Sequence, residues 1–113
     1  MERNRKNIDK YPYPESLIRD IFDVTPSTKL NVADDTEETI EKFIVLLLDD
    51  IYGTGFVLRE RYMKKKTIPE IAEKFNGDEH AVKVRLDNGR QTLSEREEIR
   101  ELYQKALVSE TEN

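Results

Sequence analysis

The side chains whose types and spacing best fit a chemical role are the basic run Lys64, Lys65 and Lys66 and the separate Lys83. Ammonium groups bind phosphate oxygens, and a lysine that faces outward from a helix can also donate hydrogen bonds to guanine. A run of lysines on a protein surface is often only solvated. The lysine pattern alone is therefore compatible with two alternatives, contact with a polyanion and a solvated loop. The predicted elements around the lysines are needed to choose between them.

Covalent or metal-assisted chemistry has few candidate residues. His80 is the only histidine and the chain has no cysteine, so nucleophile–histidine arrangements, thiolate catalysis and cysteine zinc sites are not expected. Acidic pairs occur at Asp34-Asp35 and Asp49-Asp50, but the helix predicted between them separates the pairs by roughly 20 Å. We therefore expect no enzymatic activity, no cofactor and no metal ion.

A short helix is predicted directly after the lysine run. Thr67 and Glu70 have the spacing of a capping box, in which each side chain accepts a hydrogen bond from the backbone N–H of the other residue. Pro69 is tolerated because N–H groups of the first turn have no helical partner. Apolar residues then recur at helical spacing and predict one buried face, formed by Ile68, Ile71, Ala72 and Phe75.

A sharp turn and a longer helix follow. Asn76 and Gly77 tolerate a left-handed backbone, and Asp78 is the predicted N-cap. The buried stripe of the second helix is Ala81, Val82, Leu86, Gly89 and Leu93. The outward positions are His80, Lys83, Val84, Asp87, Asn88 and Gln91. A short helix crossed by a longer one in this way is the helix-turn-helix arrangement, with Ala72 and Val82 predicted at the crossing.

Residues 57–93 resemble region 4 of the sigma-70 family, especially that of the extracytoplasmic-function sigma factors. The matching pieces are Val57-Leu58 with Arg61-Tyr62, then Ile71-Ala72-Glu73, and then Val82-Lys83-Val84-Arg85-Leu86. They align without a gap over about a third of the chain. The departures from the family are Lys65, where glycine is frequent, Asn76-Gly77 in place of glycine and a branched residue, and Asp87-Asn88 in place of a more basic pair.

The resemblance implies a module that reads the upstream element of a promoter in the major groove and touches the flap of RNA polymerase. The side chains expected to read bases are His80, Lys83, Val84, Arg85 and Asn88. Those expected to contact phosphates are Lys64, Lys65, Lys66, Thr67 and Arg90. The chain is too short for the region that melts promoter DNA, so we expect a stand-alone regulator, similar to small proteins of phages and bacterial mobile elements.

A protein-interaction module is the main alternative function. It would use the same fold to bind RNA polymerase, a sigma factor or a second copy of the chain. Asp78, Glu79 and Asp87 favour this hypothesis, because phosphates repel acidic groups unless these accept hydrogen bonds from cytosine amino groups. A DNA-packaging or replication accessory is a third alternative.

The charge pattern is compatible with both main hypotheses. The chain has a formal net charge of −5, yet residues 57–93 carry 9 basic and 6 acidic side chains. An acidic body with one basic segment can bind DNA while its acidic flanks limit nonspecific affinity. The same distribution also suits a protein partner.

The 113 residues are predicted to form one all-α domain, a compact bundle of five or six helices. The predicted segments are a mobile arm at 1–11, a helical support at 12–56, the helix-turn-helix at 57–93, a C-terminal helix at 94–108 and a disordered tail at 109–113. No apolar run is long enough to span a bilayer and no signal peptide is recognisable, so a cytoplasmic protein is expected.

Further signals divide the flanking segments into helices. Pro14 is placed to open a helix at 15–22, after tyrosines at 11 and 13 that are expected to pack onto the domain. Asp35 and Glu38 predict a capped helix over 36–50, with an apolar face that ends at Leu48. Residues 56–62 are predicted as a further helix. Ser94 and Glu97 predict a third capping box, at the start of the last helix; an unbroken continuation of the preceding helix is the alternative.

Overall fold

Helices make up the regular structure of the part of this chain that the structure describes. The computed structural model describes residues 10–47 and 53–111, with side chains up to residue 107. Six α-helices lie entirely within these residues, and no β-strand occurs among them. The helices are α1 (Glu15–Ile21), α2 (Thr36–Leu46), α3 (Thr54–Leu58), α4 (Ile68–Ala72), α5 (Glu79–Ser94) and α6 (Glu97–Thr111). The predicted all-α bundle of five or six helices is confirmed.

Helix α5 lies at the centre of the bundle, since α1, α3, α4 and α6 all contact it. Helix α2 packs against α3 and α6. One apolar cluster takes buried side chains from all six helices, namely Leu17, Ile18, Ile40, Ile44, Val57, Leu58, Ile71, Ala72, Val82, Leu86, Leu93 and Ile99. In the part of the chain that the structure describes, no helix has the length and apolar character needed to cross a membrane.

The predicted start of α4 is confirmed. Thr67 has an extended backbone, and its hydroxyl accepts a hydrogen bond from the Glu70 backbone N–H at 3.3 Å. In return, the Glu70 carboxylate accepts from the Thr67 N–H at 2.8 Å. Pro69 lies in the first turn, where its missing N–H removes no helical hydrogen bond. The first helix of the predicted pair therefore begins where its sequence indicates.

The turn between α4 and α5 also has the predicted backbone. The chain first tightens into a 3₁₀ turn, Glu73–Phe75, and Asn76 and Gly77 then adopt φ values of 57° and 80°. Asp78 starts α5 by accepting a hydrogen bond from the Ala81 N–H at 3.1 Å. The left-handed turn and the N-cap thus set the direction in which α5 begins.

Both helices bury the centre of the face that their sequence period predicts, whereas the predicted Ile68, Phe75 and Ala81 are half-buried. Ile71 and Ala72 are buried in α4, and Val82, Leu86, Gly89 and Leu93 are buried in α5. A Cβ atom on Gly89 would lie 2.5 Å from Cγ2 of Thr54 and 2.8 Å from Cδ1 of Leu58. The absence of a side chain at Gly89 therefore permits the close approach of α3 to α5.

Helix α3 differs from its prediction. It begins at Thr54 and, after Leu58, widens into a π-helical turn, Arg59–Met63, closed by a 3.1 Å hydrogen bond from the Lys64 N–H to the Arg59 carbonyl. Glu60 and Tyr62 are both buried within this turn. Their polar atoms must therefore find partners inside the fold.

Two predicted capping signals are wrong. Asp35 precedes α2 but makes no side-chain capping hydrogen bond, because its backbone (φ −87°, ψ 6°) lacks the extended conformation found at Thr67 and Asp78. Ser94 ends α5 instead of starting α6, since its hydroxyl donates to a carbonyl of α5 at 2.7 Å. The proposed box of Ser94 and Glu97 consequently does not form.

Near the chain ends, the length of α6 differs from the prediction, whereas the packing of Tyr11 agrees with it. Helix α6 continues to Thr111, beyond the predicted end at 108, because no glycine or proline interrupts it. The predicted packing of Tyr11 is confirmed, as the Arg19 guanidinium lies 4.0 Å from the centroid of its ring. Residues 1–9, 48–52 and 112–113 lie outside the described residues, and with them the predictions made for Leu48 and for the aspartates at 49 and 50.

Candidate nucleic-acid interface

The first ten residues of α5 turn a face of mixed chemistry to the solvent. Packing fixes the opposite side of the helix, so the intervening positions must point outward. His80, Lys83, Val84 and Asn88 are all exposed. None of the four forms an ion pair or a side-chain hydrogen bond with another described residue. The fold therefore leaves a hydrogen-bonding imidazole, an ammonium group, an amide and an apolar side chain available to a partner.

The dimensions of α5 suit a groove of duplex DNA. Its 16 residues give a length of about 24 Å. The major groove of B-DNA is roughly 12 Å wide and admits an α-helix. Val84, which is 40 % exposed, places an aliphatic group among the polar side chains of this face. Such a face can make both the hydrogen bonds and the apolar contacts that distinguish base edges.

Arg85 lies beside the outward face rather than on it. Its guanidinium is 5.0 Å from the centroid of the Phe75 ring, and its Nη1 donates to the Ala81 carbonyl at 3.2 Å. The side chain is partly buried and covers the turn between α4 and α5. The structure thus places this predicted base-reading residue at the edge of the exposed surface.

Two lysines before α4 are held by one buried carboxylate. Glu60 lies 3.0 Å from Nζ of Lys64 and 2.6 Å from Nζ of Lys66. Burial alone would raise the pKa of Glu60, but hydrogen bonds from Lys66 and Lys64 hold it below its ordinary value. The side chain of Lys64 is 60 % exposed, and that of Lys66 is 41 % exposed. The pair of lysines therefore keeps a defined position while still reaching solvent.

The backbone of this loop is also fixed. Arg61 is buried, and its Nη1 donates to the Lys66 carbonyl at 2.8 Å. Lys65 adopts a left-handed backbone with φ 57°. Thr67 is exposed, and its hydroxyl oxygen is used in the cap of α4. The four residues predicted to contact phosphates at this position are consecutive and lie at the entrance to α4.

Arg90, the fifth residue predicted to contact phosphates, is part of an internal network. Its side chain is only 12 % exposed, and its Nη1 donates to the Tyr62 hydroxyl at 3.1 Å. The Tyr62 hydroxyl in turn donates to Oδ2 of Asp20 at 2.6 Å, and burial raises the pKa of this phenol so that it keeps its proton. Nη2 of Arg90 donates to Oδ1 of Asp87. The guanidinium is therefore engaged inside the protein.

Several cations of residues 57–93 are balanced within the fold. Arg59 pairs with Glu41 at 2.8 Å, in addition to the pairs formed by Lys64, Lys66 and Arg90. The net positive charge of this segment is consequently larger than the positive charge that it leaves available to a partner. The exposed cation at the centre of the α5 face is Lys83.

Sequence reasoning missed the polar partners of this region. A buried tyrosine hydroxyl usually finds a hydrogen-bond partner, which signals that Tyr62 needs one. That rule does not say which residue is the partner, and Asp20 is 42 residues away in the chain. The spacing of Glu60 and Lys64 by four positions does indicate an ion pair, but nothing local indicates that Glu60 is buried and also holds Lys66.

No family model, curated protein or solved structure matches this chain. Its function must therefore be argued from the residues and their arrangement.

Proposed function

We propose that this protein is a sequence-specific DNA-binding transcription regulator that places α5 in the major groove. The observation that carries this proposal is the outward face of α5, where four exposed side chains without partners among the described residues project from an anchored helix. Lys83 can donate to guanine, Asn88 can pair with adenine, and Val84 can contact the methyl group of thymine. His80 adds a further donor or acceptor at the start of the helix.

The path of the chain from α4 to α5 supports this proposal. A capped short helix, a left-handed turn and a longer helix are the parts of a helix-turn-helix, whose second helix reads the bases. Lys65 adopts a backbone that glycine adopts most easily, at a position where the sigma-70 family often has glycine. We therefore propose that residues 57–93 form a module similar to region 4 of that family.

The phosphate contacts that we propose are Lys64, Lys65, Lys66 and Thr67. Their consecutive positions before α4 allow side-chain and backbone donors to act together on one stretch of DNA backbone. We leave Arg90 out of this set because its guanidinium is bound by Tyr62 and Asp87. Arg85 is assigned to the edge of the interface, since its present contacts are with Phe75 and Ala81.

Two acidic side chains near α5 oppose DNA binding less than their formal charge indicates. The Asp78 carboxylate caps α5 and accepts from the Ala81 N–H. Asp87 is paired with the cationic Arg90. Repulsion from DNA phosphates is therefore reduced at both positions, because one charge is partly satisfied by the helix and the other by a neighbour.

A protein-interaction module remains the second candidate function. The observation in its favour is that Arg59, Lys64, Lys66 and Arg90 are all in internal ion pairs, which lowers the open positive potential. The partner in that case would be RNA polymerase, a sigma factor or a second copy of the chain. A regulator similar to sigma region 4 could also contact the polymerase flap while it binds DNA.

Selection from a library of random duplexes at about 50 mM salt tests this proposal, because phosphate contacts are strongest at low salt. We expect a shared sequence to be enriched, and we expect Lys83→Ala with Asn88→Ala to lose that preference. Lys105→Ala, which removes an exposed lysine from α6, is the matched control and should keep it. Failure of the parent protein to retain any duplex, together with retention of polymerase subunits on the immobilised protein, would favour the protein-interaction function.

A further inference from the structure

Asp87 is the one acidic side chain on the outward face of α5 whose position is set by the core. Its side chain is 73 % exposed, and it follows Lys83 by four positions and Val84 by three, so the three lie on one side of the helix. Oδ1 accepts from Arg90, whereas Oδ2 has no partner among the described residues. One carboxylate oxygen is therefore held and the other is presented outward.

Arg90 can hold Asp87 because it is itself anchored. Its Nη1 donates to the hydroxyl of Tyr62 at 3.1 Å, and that hydroxyl donates to Asp20 at 2.6 Å. Tyr62 is fully buried, and the Arg90 side chain is 12 % exposed. A chain of contacts thus runs from the core to an exposed carboxylate. A group that is held in place before binding loses less conformational entropy when a partner arrives.

From this geometry, and on the basis of the proposed function, we infer that Asp87 is a specificity-determining residue that accepts a hydrogen bond from the exocyclic amino group of cytosine. An ionised carboxylate is only an acceptor. It can accept from N4 of cytosine, but it opposes the acceptor oxygens O6 of guanine and O4 of thymine. Adenine also offers an amino group, N6, but its acceptor N7 lies beside that group and opposes the carboxylate. Arg90 is a positioning residue, since it orients the carboxylate and offsets its charge near the phosphates.

An ordinary surface ion pair is the simpler role for Asp87 and Arg90. Exposed pairs of this kind contribute little to stability, and they have no effect on base preference. The two roles are separated by measuring the preference at each base pair of the selected duplex. Only a residue that reads a base changes the preference at one position and leaves the others unaltered.

The test uses the duplex selected by the parent protein, with each base pair substituted in turn. We expect a preference for cytosine of about tenfold or more over guanine and thymine at one position. Asp87→Ala should reduce that preference to less than about twofold, and should raise affinity for unrelated duplexes because a negative charge is removed. Glu98→Ala removes an exposed carboxylate from α6 and is the charge control: it should leave the preference unchanged.

A variant at Arg90 tests the positioning role. Arg90→Lys keeps the positive charge but lacks the planar group that bridges Tyr62 and Asp87, so it should weaken the same single preference. Unchanged preferences in Asp87→Ala, with the parent still selective, would overturn this inference and leave the proposed function standing. A parent protein that enriches no sequence would overturn both.

Discussion

The hydroxyl group of Tyr62 lies 2.6 Å from Oδ2 of Asp20, and this hydrogen bond joins the turn after α3 to α1. Tyr62 has no exposed surface, and Asp20 is 8 % exposed. The same hydroxyl accepts from Arg90 of α5 at 3.1 Å. Three segments that are distant in the sequence therefore meet at one phenol. Such a polar junction stabilises the core only while each of its members keeps a partner.

Tyr62→Phe should lower the free energy of unfolding by about 1–3 kcal/mol, since it removes a partner from both Asp20 and Arg90 without changing the ring. Denaturant unfolding of the two proteins measures the difference. Tyr103→Phe is the control, because Tyr103 is only partly buried and stacks on Phe22 through its ring. A loss in Tyr62→Phe no greater than in the control would contradict the importance of the junction.

Gly89→Ala should destabilise the fold although alanine is the better helix former. A Cβ atom there would lie 2.5 Å from Cγ2 of Thr54 and 2.8 Å from Cδ1 of Leu58. Helix propensity favours alanine by about 1 kcal/mol, whereas overpacking costs about 1–3 kcal/mol, so we expect a net loss of roughly 1 kcal/mol.

Thermal or denaturant unfolding checks the effect of Gly89→Ala, with Asn88→Ala as the control at the exposed neighbouring position. The control should stay within about 0.5 kcal/mol of the parent. A Gly89→Ala variant more stable than the parent would mean that α3 does not approach α5 as closely as described.

Local sequence signals predicted the elements around the candidate interface well. Thr67 and Glu70 lie within one turn of helix, so their capping box depends on few other residues. Asn76 and Gly77 likewise take the left-handed backbone that their residue types favour. Asp35 shows the limit of this approach: its residue type suits a cap, but its backbone angles do not.

Contacts between distant segments could not be predicted in the same way. Arg90 has the residue type of a phosphate contact, but the structure joins it to Tyr62, 28 residues earlier. Lys64 and Lys66 look like an open basic run; Glu60 is close to them in the sequence, but only the fold shows that it is buried and holds both lysines. The sequence gives the number of charged side chains but does not show which of them are paired within the fold. The exposed face of α5 was therefore predicted more accurately than the positive charges available for binding.

Glu60 should give the protein an acid-sensitive contribution to stability. Although burial raises the pKa of its carboxyl, the hydrogen bonds from Lys66 and Lys64 lower it overall from the ordinary value of 4.5. A group with a lower pKa in the folded state than in the unfolded state stabilises the fold above its unfolded pKa. This contribution is lost as the pH falls through the folded pKa.

The comparison of the parent with Glu60→Gln tests this pH dependence. We expect the parent to be the more stable protein at pH 7, and we expect the difference to shrink as the pH falls below about 4. Denaturant unfolding at several pH values measures it, with Glu98→Gln as an exposed carboxylate control that should show a small difference throughout. A difference that grows at acid pH would contradict the paired state of Glu60.

The salt dependence of DNA binding should depend on the lysines before α4 and not on Arg90. If Lys64, Lys65 and Lys66 neutralise about three phosphates, log affinity should fall with log salt at a slope of about −2.7. Replacing one of these lysines by alanine should make the slope shallower by about 0.9. Arg90→Gln, verified as folded by circular dichroism, should keep the parent slope because its guanidinium contacts Tyr62 and Asp87 and no phosphate; the affinity itself should fall, since the Asp87 charge is then no longer offset. Salt titrations of duplex binding would contradict this division if Arg90→Gln changed the slope as much as a lysine variant did.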